Sequence, residues 1–157
     1  MTIVAINCGS SSVKYAVFDG DAPVARATID GVTDHRGAVF AVLDQLAARP
    51  TAVGHRLVHG GADHISPERI DAALRAALDR LVPLSPLHLP VELAAIDAVS
   101  LRLGDVPQVA CFDTAFHASL PEVARRLALP AALADAGVRR YGFHGLSYAS
   151  IVAALPP

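Results

Sequence analysis

Residues 3–18 read Ile-Val-Ala-Ile-Asn-Cys-Gly-Ser-Ser-Ser-Val-Lys-Tyr-Ala-Val-Phe, and no other stretch restricts the fold as tightly. Two β-prone apolar runs, Ile3–Ile6 and Val13–Phe18, flank a polar centre of Asn7, Gly9, Ser10, Ser11 and Ser12. That pattern predicts a β-hairpin. Its turn carries an amide, three hydroxyls and backbone N–H groups, the chemistry needed to wrap an anion as well as reverse the chain. In a strand of period two, Lys14 shares a face with Ser12. A plain Ser/Gly turn with Lys14 in water fits the same residues, and the stretch alone weighs the two evenly.

Composition sharpens one point. Of 13 basic residues, 12 are Arg and Lys14 is the single lysine. A compact ammonium placed beside the serine turn in so Arg-biased a chain suggests a specific task. The length, 157 residues, suits one domain with its own core. A formal charge of -2 and the short pairs Arg125-Arg126 and Arg139-Arg140, expected on solvated faces, give no basic footprint for nucleic acid or a membrane surface. No apolar run is long enough to span a bilayer, and the N-terminus lacks a secretory pattern. The expected setting is the cytoplasm, with Cys8 and Cys111 as buried free thiols.

Further along, Ala22–Ile29 has strand character, which makes a three-stranded meander. Asp34 is placed to cap a helix running to about Ala48, and Thr51–Val58 reads as a strand. Ser66-Pro67-Glu68 has the form of a helix start, with that helix ending near Pro83. The three prolines of Pro83–Pro90 predict an extended path before a helix from about Pro90 to Leu101. Val106–Phe112 is a strand, residues 114–129 are mostly loop, Pro130–Ala136 is a short helix, and Leu146–Leu155 begins another. This order predicts an α/β domain with a mixed sheet and flanking helices, whose ligands sit at strand ends.

Three further constellations fall at such ends. In Gly54-His55-Arg56-Leu57-Val58-His59-Gly60-Gly61 an arginine lies inside an apolar strand, where its planar fork needs a carboxylate or phosphate partner. Asp113 ends the strand before Thr114-Ala115-Phe116-His117, a position from which a carboxylate can ligate Mg²⁺ or act as a general base. His144 sits between Phe143 and Gly145 beside a helix start, where an imidazole can donate to a developing anion. An edge arginine in water, a junction aspartate and a satisfied loop histidine are the bland alternatives. His55, His59 and His64 lack the helical spacing of a zinc site.

Taken together, Asn7–Lys14, Gly54–Gly61, Phe112–His117 and Arg139–Gly145 occur in the order seen in acetate kinases. The chain resembles the N-terminal domain of that acetokinase family, which includes propionate and butyrate kinases. The resemblance implies an actin-like, ribonuclease-H-like fold of the acetate and sugar kinase superfamily over residues 1–157. It also implies transfer of a phosphoryl group between ATP and acetate with Mg²⁺, and a homodimer at full length. Carried over by motif, Asn7 would meet the phosphoryl and metal region, with Ser10, Ser12 and Lys14 beside it. Arg56 would bind the acetate carboxylate and the phosphoryl in flight. Asp113 would organise metal and substrate, His144 would stabilise the transition state, and Val58, Leu87 and Phe143 would wall the methyl pocket.

Departures accompany the likeness. The family's Phe-His-Gly-Thr-Ser-His reads Phe143-His144-Gly145-Leu146-Ser147-Tyr148, and its Pro-Leu-His-Asn-Pro reads Pro86-Leu87-His88-Leu89-Pro90. The family's C-terminal nucleotide-binding domain would follow His144, and these 157 residues do not contain it. The chain alone is therefore expected to be inactive or nearly so. The competing reading is a non-catalytic remnant that only binds anions.

Overall fold

The computed structural model describes residues 1–156. Strands β1 (Thr2–Cys8) and β2 (Ser12–Asp19) pair antiparallel, with Asn7 opposite Lys14 and Cys8 opposite Val13. This is the hairpin expected from the apolar runs. β3 (Ala22–Asp30) completes the meander as an edge strand, and Pro23 lies opposite Phe18, where the register slips. Proline is tolerated there because an edge strand can spare an N–H at an irregularity. β4 (Ala52–Leu57) and β6 (Gln108–Phe112) extend the sheet in parallel from β1, and the two-residue β5 (Glu68–Arg69) caps the far edge antiparallel. The order is β3-β2-β1-β4-β6-β5.

The helices follow from caps and apolar spacing. In α1 (His35–Asp44) the Asp34 carboxylate accepts from the Gly37 N–H at 3.0 Å, as the sequence predicts. The helix stops at Asp44 rather than Ala48, because the chain must return to the sheet, where the Thr51 N–H donates to the Thr2 carbonyl at 2.8 Å. The expected helix start at Ser66 is incorrect. Glu68 and Arg69 instead pair with β6, and α2 (Ala72–Leu81) begins behind Asp71, whose carboxylate accepts from Leu74 at 2.8 Å. Residues 82–84 form a 3₁₀ turn rather than an extended path, since proline at its first turn removes an N–H that would be unpaired anyway. α3 (Leu89–Leu103) follows, and Leu89, the residue in place of an amide, is fully buried. α4 (Glu122–Arg125), α5 (Ala131–Asp135) and α6 (Gly145–Ala154) complete the chain. The arginine pairs divide: Arg126 and Arg140 are exposed as expected, whereas Arg125 and Arg139 are partly buried.

Strand alternation decides where the core and the site lie. Val4, Ile6 and Cys8 of β1 point to one face, where Val39 and Val42 of α1 and Ala95, Ala98 and Val99 of α3 cover them. Leu57 and Phe112 pack with Leu74, Leu78, Leu93 and Ile96 in a second cluster, so α3 is shared by both. Each such buried Val, Leu, Ile or Phe side chain contributes roughly 1.5–3 kcal/mol. The other face carries Ala5, Asn7, Lys14, Gly54 and Arg56 and stays open.

Candidate active site

Because β1, β4 and β6 run parallel, their C-terminal ends meet at one edge of the sheet. Asn7, Arg56 and Asp113 stand at those ends. The Arg56 guanidinium donates through Nε and Nη2 to the same Asp113 oxygen, at 3.0 and 2.6 Å, and through Nη1 to Asn7 Oδ1 at 3.2 Å. Arg56 is 23% exposed, whereas Asp113 is almost wholly buried. Charge-assisted bonds of this kind fix the plane of the fork while leaving its outer N–H groups free for an incoming anion.

Beyond these three lies a residue that the motifs did not indicate. Glu92, in the first turn of α3, is 1% exposed; its Oε2 accepts from the Val58 N–H at 3.0 Å and its Oε1 lies 3.9 Å from Arg56 Nη1. Oε1 has no hydrogen-bond partner. Burial pushes the Glu92 carboxyl up to about 7; the Val58 N–H and the Arg56 charge oppose that rise, and Asp113 adds to it. The sequence did carry a signal. Glu92 lies on the apolar stripe of α3, three residues after Leu89 and four before Ile96, where a solvated acid does not belong.

The hairpin turn is held from α1. The Gly9 N–H donates to the Ser12 carbonyl at 2.8 Å, and the buried His35 meets the Gly9 carbonyl through Nε2 at 2.7 Å. Lys14 and Asn7, paired across the hairpin, line a cleft of about 480 Å³ together with Arg56, Cys111 and Leu146. Ser10 is exposed at the turn and Ser12 is partly buried; neither lines that cleft.

His144 reaches the same edge by its backbone. The Gly145 N–H donates to the Asp113 carbonyl at 3.0 Å, so the turn that starts α6 is docked on the Asp113 main chain. A Cβ at Gly145 would collide with that carbonyl and with Phe116. His144 itself is exposed and adopts φ 58°, ψ 23°, a left-handed conformation that costs a non-glycine residue energy and recurs at functional sites. His117 braces the loop by meeting the Phe143 carbonyl through Nε2 at 3.0 Å. The three residues expected to wall a methyl pocket are less closely gathered. Val58 is buried, Leu87 is 76% exposed and Phe143 is 40% exposed, and none of them lines the cleft beside Arg56.

Three of the other histidines, His55, His59 and His64, have structural partners. His55 bonds Gln108 through Nε2 at 2.8 Å, and burial lowers its imidazole to about 4. His59 accepts from the Gly61 N–H at 2.9 Å and packs edge-on to Tyr141, and burial lowers it too. His64 pairs with Glu68 at 3.1 Å. Among the described residues no three His, Cys, Asp or Glu side chains gather as a metal site.

A model of the acetokinase family matches residues 27–155. The chain belongs to the acetokinase family. The matched span excludes the hairpin, but the acetate kinase of Deinococcus deserti aligns over 98% of the chain at 41% identity. This acetokinase chain also superposes on the crystal structure of Porphyromonas gingivalis acetate kinase with a TM-score of 0.85, at 32% identity over 94% of its length. A propionate kinase from Francisella tularensis gives 0.79 at 27% identity over 94%. The fold is therefore the actin-like, ribonuclease-H-like one of the acetate and sugar kinases. The chain spans 46% of the length of each of these three relatives. No helix among the described residues is long and apolar enough to cross a membrane.

Proposed function

We propose that this chain forms the acyl-binding half of an acetate kinase, transferring a phosphoryl group between ATP and acetate in line. The observation that carries the reading is Arg56, held at the ends of three parallel strands by Asp113 and Asn7 with its outer edge open to the cleft. Attack of a carboxylate on a phosphate brings two anions together, and a fixed guanidinium between them offsets that repulsion. An arginine on the transferred group can be worth roughly 10³–10⁵ in rate. Asn7 and Lys14 flank the phosphoryl path, with Ser10 and Ser12 in the turn above, and His144 enters from the α6 turn. Val58, Leu87 and Phe143 shape the methyl pocket once the rest of the enzyme closes over them.

Asp113 and Asn7 offer oxygen donors of the type that Mg²⁺ takes. One Asp113 oxygen and the Asn7 oxygen are turned to Arg56, so the chain would supply few ligands directly, with water and nucleotide phosphates completing the shell. The ion would neutralise charge on the transferred group. We place the complete protein as a homodimer in the cytoplasm, with the nucleotide held by a domain that follows His144.

A propionate kinase is the second reading, favoured by Leu146, which puts an aliphatic side chain in the cleft wall beside Arg56. Hydroxamate trapping of acyl phosphate from ATP, Mg²⁺ and acetate, propionate or butyrate tests both. The 157-residue chain is assayed alone and continued by the second half of the Deinococcus deserti relative. Product with acetate from the continued chain, lost by at least about 10³-fold in Arg56→Ala with the fold intact, is expected. No product with any of the acids would overturn the kinase reading.

A further inference from the structure

The Arg56 cluster is unbalanced as built. One guanidinium faces two carboxylates, Asp113 through two charge-assisted bonds and Glu92 across 3.9 Å. With both ionised, the cluster carries a net negative charge at the spot where an anion must dock. With a proton on Glu92 it is neutral, and the guanidinium can turn its charge outward. Glu92 is built for that change. One oxygen is fixed by the Val58 N–H, the other is buried without a partner, and a buried ionised oxygen without a donor is costly.

We propose that Glu92 is a proton-gated positioning residue for Arg56, taking a proton from solvent when an anion docks on the guanidinium and releasing it when the anion leaves. The charged and titratable groups facing it are Arg56 from β4, Asp113 from the end of β6 and the Cys8 thiol from β1. Cys8 is pushed up to about 12, by burial first and by the Glu92 charge second, so it stays neutral and leaves the switch to Glu92. The inference rests on the reading of Arg56 as the anion-binding residue. By linkage, an anion that raises the Glu92 carboxyl by about one unit binds about tenfold more weakly once Glu92 is ionised before binding.

Sulfate is the probe, because it stays a dianion across the neutral range in which a carboxyl pushed up to about 7 changes its charge. Calorimetric titration of the 157-residue chain, wild type, Glu92→Gln and Arg56→Ala, separates the possibilities. Sulfate affinity is expected to fall about tenfold through neutral pH in the wild type, and Glu92→Gln, which keeps an acceptor for Val58, is expected to lose that fall. Equal pH dependence in the two proteins would overturn the gating role while leaving Arg56 in place. Binding that persists in Arg56→Ala, or no binding by wild type or Glu92→Gln at any pH, would overturn the Arg56 reading, and the gating role with it. Should Glu92→Gln fail to fold, a carbon-13 titration of the wild-type Glu92 carboxyl decides. Saturating sulfate must raise its apparent pKa, and an unmoved value rejects the proposal.

Discussion

Burial raises the Glu92 carboxyl to about 7 from an ordinary 4.5 and lowers the His55 imidazole to about 4 from 6.5. Folded Glu92 therefore holds a proton that the unfolded chain has lost, and stability falls as pH rises from 4.5 to about 7. His55 acts in the opposite sense. Its unfolded form gains a proton that the folded form refuses, so stability falls as pH drops from 6.5 towards 4. Each effect is on the order of 3 kcal/mol at 1.36 kcal/mol per unit. Between 4.5 and 6.5 the two oppose, and the urea midpoint of the wild type should change little there. Glu92→Gln removes one slope, so its midpoint should rise steadily from acid pH to about 6.5 and exceed the wild type at pH 8. A midpoint curve superimposable on that of the wild type would show that Glu92 does not titrate in this window.

The elements show how far local signals reach. The meander and the Asp34 cap are legible because each depends on neighbours within a few residues. β4 and β6 are legible because their own apolar, β-prone runs mark them as strands, although their partners lie far along the chain. The Ser66-Pro67 pattern misleads for the same reason. The local pattern is a good helix beginning, but Glu68 and Arg69 are claimed by the edge of β6, some 40 residues on, and capping passes to Asp71. At the site, the motifs indicated Asn7, Arg56 and Asp113, which the structure joins by hydrogen bonds. Glu92 and His35 escaped because burial and a partner 26 or 34 residues away define their roles. Replacing Asp34 or Asp71 by Ala should each cost about 1 kcal/mol in urea unfolding, the usual worth of an N-cap oxygen. Gly145→Ala should undo the docking of the α6 turn on Asp113. Acyl phosphate formation in the continued chain should drop at least about tenfold, while circular dichroism of the core helices is unchanged.

At the scale of the whole molecule, the sheet is covered on one face and open on the other. α6 adds to the open side's apolar character, with Tyr148, Ile151 and Val152 each between 48% and 58% exposed. Contiguous apolar surface of this kind drives association. Ile151→Lys should raise the concentration at which the 157-residue chain begins to aggregate, measured by light scattering, without lowering its urea midpoint. An onset of aggregation no different from the wild type would place the sticky surface elsewhere.

The hydrogen bonds of Arg56 to Asn7 and Asp113 join residues 49 and 57 positions apart, whereas β1, β2 and β3 are joined by tight turns. Closing long loops costs entropy before the contacts repay it, and local pairings form sooner. The order of folding is therefore written into the strand order. In pulse-labelled hydrogen exchange, the amides of the meander should be protected ahead of Asp113, whose N–H closes on the Leu57 carbonyl at 2.9 Å. An intermediate caught midway would hold a formed serine turn and no arginine site. Such a chain would be ordered enough to look folded by its strand content and still be unable to grip an anion.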